Sequence, residues 1–136
     1  MIEPMKSIVI VLNFNSPQDT LSLIEKVLEV TEFSICVVDN NSTDNSAEII
    51  GESCRGKERL KFIKSAINAG YASGNNIGLR YAVEAGYESA FLINPDVEIT
   101  DTSVFTECLS VLCDNTNALA VGPKVNGISK FPLRLD

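Results

Sequence analysis

Ala90-Phe-Leu-Ile-Asn-Pro-Asp-Val-Glu-Ile-Thr100 is the stretch whose reading decides the fold. It opens as a short apolar run, the pattern of a central strand buried on both faces, and breaks at Asn94-Pro95, where the chain must leave a sheet. Asp96 follows at once. Open α/β sheets place ligand chemistry just past the carboxyl ends of their strands, so this carboxylate is expected at a binding crevice. Asn, Pro and Asp are also ordinary turn formers, and the stretch alone is equally a plain turn. Its neighbours in the chain distinguish the two readings.

Upstream, the same order of elements recurs. Ser7-Ile-Val-Ile-Val-Leu12 is a continuous β-branched run, expected as a parallel central strand, and it exits through Asn13-Phe14-Asn15-Ser16-Pro17. Pro17 suits the first turn of a helix whose apolar positions Leu21, Ile24, Val27 and Leu28 keep helical spacing. Phe33 to Val38 reads as a second strand, followed by Asp39-Asn-Asn-Ser-Thr-Asp-Asn-Ser46 and a helix through Ile49 and Ile50. Ser42 or Thr43 is expected to cap that helix, with Asp44 at the positive end of its dipole. Capping does not account for Asp39, a carboxylate at the strand's end that could accept hydrogen bonds from a nucleobase or ribose. Arg55 to Arg59 reads as a solvated loop, and Leu60 to Ile63 as a third strand.

Between that strand and the opening stretch lies Asn68-Ala-Gly-Tyr-Ala-Ser-Gly-Asn-Asn-Ile-Gly78. Its glycines permit positive φ and close backbone approach, and its asparagines supply donors and acceptors without charge, so the segment is expected as a loop lying against a ligand. A helix then runs through Tyr81, Ala82 and Ala85 to a stop at Gly86. Beyond Thr100, the spacing of Val104, Phe105, Cys108, Leu109 and Leu112 predicts a helix. Ala118 to Val125 reads as an edge strand interrupted at Gly122-Pro123, and the tail Phe131 to Asp136 has no usable period.

Strands alternating with helices imply a right-handed, doubly wound, mostly parallel sheet with helices on both faces. If the chain winds outward through three strands and then returns, the switch point lies between the strand ending at Asn13 and the strand ending at Asn94. Asn13, Asn15, Asp39, Asn68, Asn76 and Asp96 then share one edge of the sheet, where a ligand crevice is expected.

Composition narrows the chemistry. At 136 residues the chain is expected to form one domain, 1–136, long enough for a real core but short for an enzyme that holds two substrates. A formal net charge of -7 disfavours nucleic acid or an anionic membrane as partner, because both would repel the molecule at long range. There is no histidine, which excludes a histidine-based triad or histidine-ligated zinc and leaves a hard cation held by oxygens as the expected metal. The four cysteines, Cys36, Cys54, Cys108 and Cys113, have no Cys-x-x-Cys spacing and read as packing thiols in a reducing compartment. No apolar run approaches the roughly 20 residues of a membrane span, so a cytoplasmic protein is expected, with peripheral attachment at the inner membrane face also compatible. The first loop lacks Gly-x-Gly-x-x-Gly, so a Rossmann dinucleotide site has no phosphate cradle. It also lacks the glycine-rich basic loop of a nucleotidyltransferase.

Taken together, Ile8-Val-Ile-Val-Leu-Asn-Phe-Asn15, Val37-Val-Asp-Asn-Asn-Ser-Thr-Asp44, Asn68 to Gly78 and Leu92-Ile-Asn-Pro-Asp-Val97 resemble glycosyltransferase family 2, closest in style to its rhamnosyltransferase-like members. The resemblance spans about residues 6 to 126. It implies a GT-A type nucleotide-diphospho-sugar transferase fold and inverting transfer from a UDP- or dTDP-sugar to a saccharide or lipid-linked acceptor. It also implies nucleotide-sugar contacts at Leu12, Asn13, Asn15, Asp39, Asn68, Asn76, Asn94 and Asp96. Leu12 to Asn15 would lie beside base and ribose, Asp39 would bond the base, and Asn76 would approach the nucleotide. Asp96 matches the last aspartate of the family's Asp-x-Asp motif and would hold Mg2+ or Mn2+ against the diphosphate.

The chain departs from the family in two places. The metal motif is Asn94-Pro95-Asp96, with one carboxylate where the family has two. No later Asp or Glu stands in a motif like the family's general base, so the chain is expected to be the donor-binding, apparently truncated portion of a transferase. The alternative is a non-catalytic nucleotide-sugar-binding or interaction module. An incomplete domain would leave apolar surface uncovered, so self-association as a homo-oligomer is expected.

Overall fold

A computed structural model describes residues 5–123, which fall into two compact units that meet in sequence at Ile99 and Thr100. The first unit runs β1 (Ser7–Asn13), α1 (Pro17–Val30), β2 (Ser34–Asp39), α2 (Ser46–Cys54), β3 (Leu60–Lys64), α3 (Tyr71–Glu84) and β4 (Ser89–Leu92). All strand pairs are parallel, in the order β3-β2-β1-β4. The chain therefore winds outward from β1 through β2 to β3, then returns to the other side of β1. The reversal falls between β1 and β4, so the chain takes the outward-and-return winding on which the expected switch point depends.

Strand geometry sorts the core into two faces, because successive side chains point opposite ways. Ile8, Ile10, Cys36 and Val38 cluster with Ala82 of α3 on one face. Val9, Val11, Ile35 and Val37 are equally buried on the other, the side that Thr20 of α1 reaches through its hydrogen bond to Asn13. Each such aliphatic side chain contributes about 1.5–3 kcal/mol by leaving water.

Cys36 belongs to this core, and burial pushes its thiol up from 9.0 to about 12; burial also raises that of Cys54. The unfolded chain ionises Cys36 first, so its contribution to stability is complete below pH 9.0 and is lost as pH rises from there to about 12. Urea midpoints at pH 8 and 10.5 should therefore fall further apart in the wild type than in Cys36→Ala. Equal shifts would contradict the linkage.

Two glycines set how closely α3 lies on the sheet. A Cβ at Gly74 would meet Leu12 Cδ1 at 2.5 Å, and one at Gly78 would meet Ile10 Cγ2 at 2.5 Å. The helix begins at Tyr71, so most of the glycine and asparagine segment expected as a ligand-facing loop is its first two turns. The close approach its glycines allow is between helix and strand. Gly70, at φ 94, makes the turn into the helix. At the other end Gly86 is the expected stop: its N–H donates to Val83 O, and Tyr87 N–H donates to Ala82 O.

Three further expectations are corrected. Among the described residues β4 is a four-residue strand at the sheet margin, half-buried from Ser89 to Phe91 and exposed at Leu92, rather than a central strand buried on both faces. Among the described residues it pairs with β1 alone, so one side of its ladder has no strand against it. Arg59 is not a solvated loop residue. Its guanidinium donates to Leu28 O, Thr31 O and Phe33 O at 2.6–3.3 Å, closing the carboxyl end of α1 and the entry to β2. The strand expected from Ala118 is not formed over residues 118–123, where Ala118 N–H makes a turn to Asn115 O and Leu119 is 99% exposed. The rest of that stretch and the tail from Phe131 lie outside the described residues.

The second unit carries α4 (Ser103–Asp114). Val104, Phe105, Cys108, Leu109 and Leu112 are its least exposed apolar residues, as their spacing predicts. Among the described residues no helix is long and apolar enough to cross a membrane.

Candidate functional site

The exits of β1 and β2 stand level, with Asn13 paired to Asp39. Both side chains are fully buried, and they bond to each other: Asn13 Nδ2 donates to Asp39 Oδ1 at 2.9 Å. Asn13 Oδ1 accepts from Thr20 Oγ1 of α1 at 2.7 Å. Asp39 also accepts from Ser42 Oγ at 2.6 Å and Ser42 N at 3.0 Å, so its carboxylate holds the loop that follows it. Asn15, at φ 53, ties the first loop to the second: its Oδ1 accepts from Thr43 N, and its Nδ2 donates to Thr43 Oγ1.

Ser42 and Thr43 are thus committed to Asp39 and Asn15, which corrects their expected role as helix caps. Asp44 instead accepts from Ser46 N at 2.9 Å, at the start of α2. The arrangement is a frame that fixes two loops, with Asp39 as its charged centre.

One residue further, the alternation turns to the opposite face. Asn40 continues the series Cys36, Val38 on the α3 side and is only 4% exposed. Its Nδ2 donates to Asn68 Oδ1 at 3.0 Å and to Gly70 O at 3.3 Å. The carbonyl at Gly70 can only accept, which fixes the orientation of the amide. Asn40 Oδ1 is left buried with no partner among the described residues. Such an acceptor costs about 1–3 kcal/mol until something donates to it.

On the other side of β1, β4 stops early. Leu92 stands opposite Ile10, and only one more bond, Ile93 N–H to Ile10 O, follows before Asn94-Pro95-Asp96 turns away. β1 continues to Asn13, so a notch opens beside Leu12. Tyr71, the first residue of α3, reaches over and donates its hydroxyl to Asn94 Oδ1 at 2.9 Å.

The notch is a cavity of about 530 Å³, within the range of small-molecule sites. Of the residues singled out by sequence, Leu12, Asn68, Asn94 and Asp96 line it. Asn13, Asn15 and Asp39 form the frame behind it, and Asn76 is exposed on α3 outside its lining. Phe14, inside the Leu12 to Asn15 segment expected beside base and ribose, lines it too, and Ser16, Asp19, Asn40, Tyr71 and Pro95 complete the wall beyond the expected contacts. Strand alternation carried past Val38 would have found Asn40. Phe14, Tyr71 and Pro95 lie inside the quoted motifs, whereas Ser16 and Asp19, at the start of α1, carry nothing that separates them from ordinary helix-start residues.

Among the described residues, the cavity wall carries two carboxylates, Asp19 and Asp96, and no lysine or arginine. No group of three or more acidic or thiol side chains able to hold a metal exists among the described residues. The donor set therefore fits a hard cation bound through one or two carboxylates and completed by oxygens of a ligand, the usual habit of Mg2+.

Residues 8–133 match the family model described as Glycosyl transferase family 2. The chain is 31% identical over 126 residues to the low-salt glycan biosynthesis hexosyltransferase Agl10 of Haloferax volcanii, covering 92% of this chain and 38% of that protein. It is 29% identical over 118 residues to the dTDP-rhamnosyl transferase RfbF of Shigella flexneri, covering 84% of this chain and 36% of that one. The chain thus spans less than two fifths of the length of either relative. In fold, it is similar to the mannosyltransferase PcManGT from Pyrobaculum calidifontis, solved in complex with GDP-Man and Mn2+. The TM-score is 0.70 at 19% identity, over 82% of this chain and 33% of that one.

Proposed function

This chain belongs to glycosyl transferase family 2, and from that premise we propose that its cavity receives the nucleotide diphosphate of a sugar donor, making the chain the donor-binding portion of an inverting transferase. The observation that carries the reading is Asn40 Oδ1, a buried acceptor without a partner among the described residues, in the wall of a ligand-sized cavity. A base N–H or a ribose hydroxyl would satisfy it. Phe14, 45% exposed at the same wall, offers an aromatic face beside that contact. Asp39 and Asn13 act from behind, by holding the loops that shape the cavity.

A diphosphate in a cavity whose only charged side chains, among the described residues, are carboxylates calls for a counter-charge. Asp96 would hold a divalent cation there, and Asp19 lies in the same wall; when bound, the ion would neutralise the diphosphate as leaving group. The finer donor proposal is a dTDP-sugar, with rhamnose as the sugar. It rests on the style of the four motifs and on the Shigella relative. Polysaccharide or glycan synthesis is the corresponding process.

Calorimetric titration with UDP, dTDP and GDP, each with and without Mn2+, tests the proposal. One nucleotide should bind best, and better with the metal. Asn40→Ala should weaken that binding about tenfold, the loss of one buried hydrogen bond from a ligand. Binding of none of the three would overturn the reading. Binding without transfer to any acceptor would leave the donor site standing and favour the non-catalytic module.

A further inference from the structure

The tyrosine at the start of α3 has a specific relation to the Asn-Pro-Asp turn. Tyr71 is 59% exposed, yet its ring does not simply lie in solvent: it lines the cavity, and its hydroxyl donates to Asn94 Oδ1 at 2.9 Å. An asparagine amide has one acceptor end and one donor end. With Oδ1 engaged by a hydroxyl on the helix, Nδ2 is the end of Asn94 left for a ligand. We infer that Tyr71 is a positioning residue that orients the Asn94 amide, so that Asn94 meets the nucleotide diphosphate as a hydrogen-bond donor to one of its ribose or phosphate oxygens. This inference rests on the donor-site reading above.

The support for Tyr71 extends to the far wall. Gly70, the residue before it, holds φ 94 and accepts from Asn40 Nδ2 through its carbonyl. Asn68 Oδ1 accepts from both Gly70 N and Asn40 Nδ2. The turn into α3 is therefore pinned at the β2 exit on one side, and Tyr71 carries that anchorage across the cavity to the β4 exit. The turn at β4 is closed by its own bond, Val97 N–H to Asn94 O. The side chain of Asn94 is thus the adjustable part of the turn, and the tyrosine hydroxyl fixes it.

The division of labour within Asn94-Pro95-Asp96 follows. Asp96 supplies negative charge and can hold a cation. Asn94, oriented by Tyr71, supplies N–H groups that would contact the nucleotide's oxygens directly. The site then depends on metal through one side chain and on the amide through another, and the two contributions are separable.

A double-mutant cycle on Tyr71→Phe and Asn94→Ala tests this, with the best-binding nucleotide diphosphate titrated in the presence and absence of Mn2+. Tyr71→Phe should weaken binding about three- to tenfold in the wild-type background, with and without metal, and have almost no effect when Asn94 is already alanine. Thermal midpoints should stay close to wild type, because the hydroxyl removed is exposed. Equal losses from Tyr71→Phe in both backgrounds would overturn the inference, since the ring would then act on the ligand by itself. So would a loss seen only with Mn2+, which would place Asn94 in metal binding. If the wild type binds none of the nucleotides, the donor-site reading fails and the inference with it. Binding by the wild type together with an unchanged Tyr71→Phe sinks the inference alone.

Discussion

Asp96→Ala should remove the metal-enhanced part of nucleotide diphosphate binding, leaving an affinity that Mn2+ no longer improves. Asp96 lies just past β4 in the cavity wall, and among the described residues the wall holds no positive side chain to balance a diphosphate. Asp19 is the other carboxylate there, and no cluster of three metal-holding side chains exists among the described residues to compensate. Losing even an outer partner of a metal ligand commonly costs about 10–100-fold in affinity, so losing the ligand itself should cost at least that. Titrations with and without Mn2+, on wild type and mutant, read the effect directly. The metal-free affinity should change little, because Asn40 and Asn94 are untouched. A mutant whose binding still strengthens with Mn2+ would place the cation elsewhere.

Asp39→Ala should act mainly on the fold. The carboxylate is fully buried and accepts three hydrogen bonds, from Asn13 Nδ2, Ser42 Oγ and Ser42 N. Bonds to an ionised group are worth about 1.5–3 kcal/mol each, and they share partners here, so a total cost of about 3–5 kcal/mol is expected. That is a large part of the stability of an ordinary domain. Urea denaturation should show a much lower midpoint for Asp39→Ala, whereas Asn40→Ala should change nucleotide affinity more than it changes stability. The opposite result, an unchanged midpoint with lost binding, would make Asp39 a direct contact of the base, the role the family resemblance implies.

The contrast between Asp39 and Asn40 shows where sequence reading succeeds and where it stops. The runs Ser7–Leu12 and Phe33–Val38 are legible because buried parallel strands have a distinctive β-branched composition, and winding rules admit the return of β4 beside β1 without requiring it. The crevice at the strand ends follows from the same topology. Which residue of a polar pair faces it does not, because strands end on a chosen face and the polar run itself has no period. Asp39 closes the ladder on the α1 side, and Asn40 opens the α3 side.

Gly74 and Gly78 illustrate a second limit. Their sequence signature is shared by a ligand loop and by a helix packed tightly on a strand. Only the positions of Leu12 and Ile10 separate these possibilities. The place of β4 is hidden for a related reason: an apolar run of four residues looks the same at a sheet's centre and at its margin. The role of Arg59 has no local signal, since its hydrogen bonds reach carbonyls as far away as Leu28 in the chain.

The most direct measurement is an amide NMR titration of the 15N-labelled chain with a nucleotide diphosphate and Mg2+, the diamagnetic ion. The account expects the largest shifts at the side-chain amides of Asn40 and Asn94 and the backbone amides of Phe14, Tyr71 and Asp96, with Asn76 and α2 little changed. Shifts centred on Asn76 or α2, or none at saturating nucleotide, would contradict the cavity as the donor site.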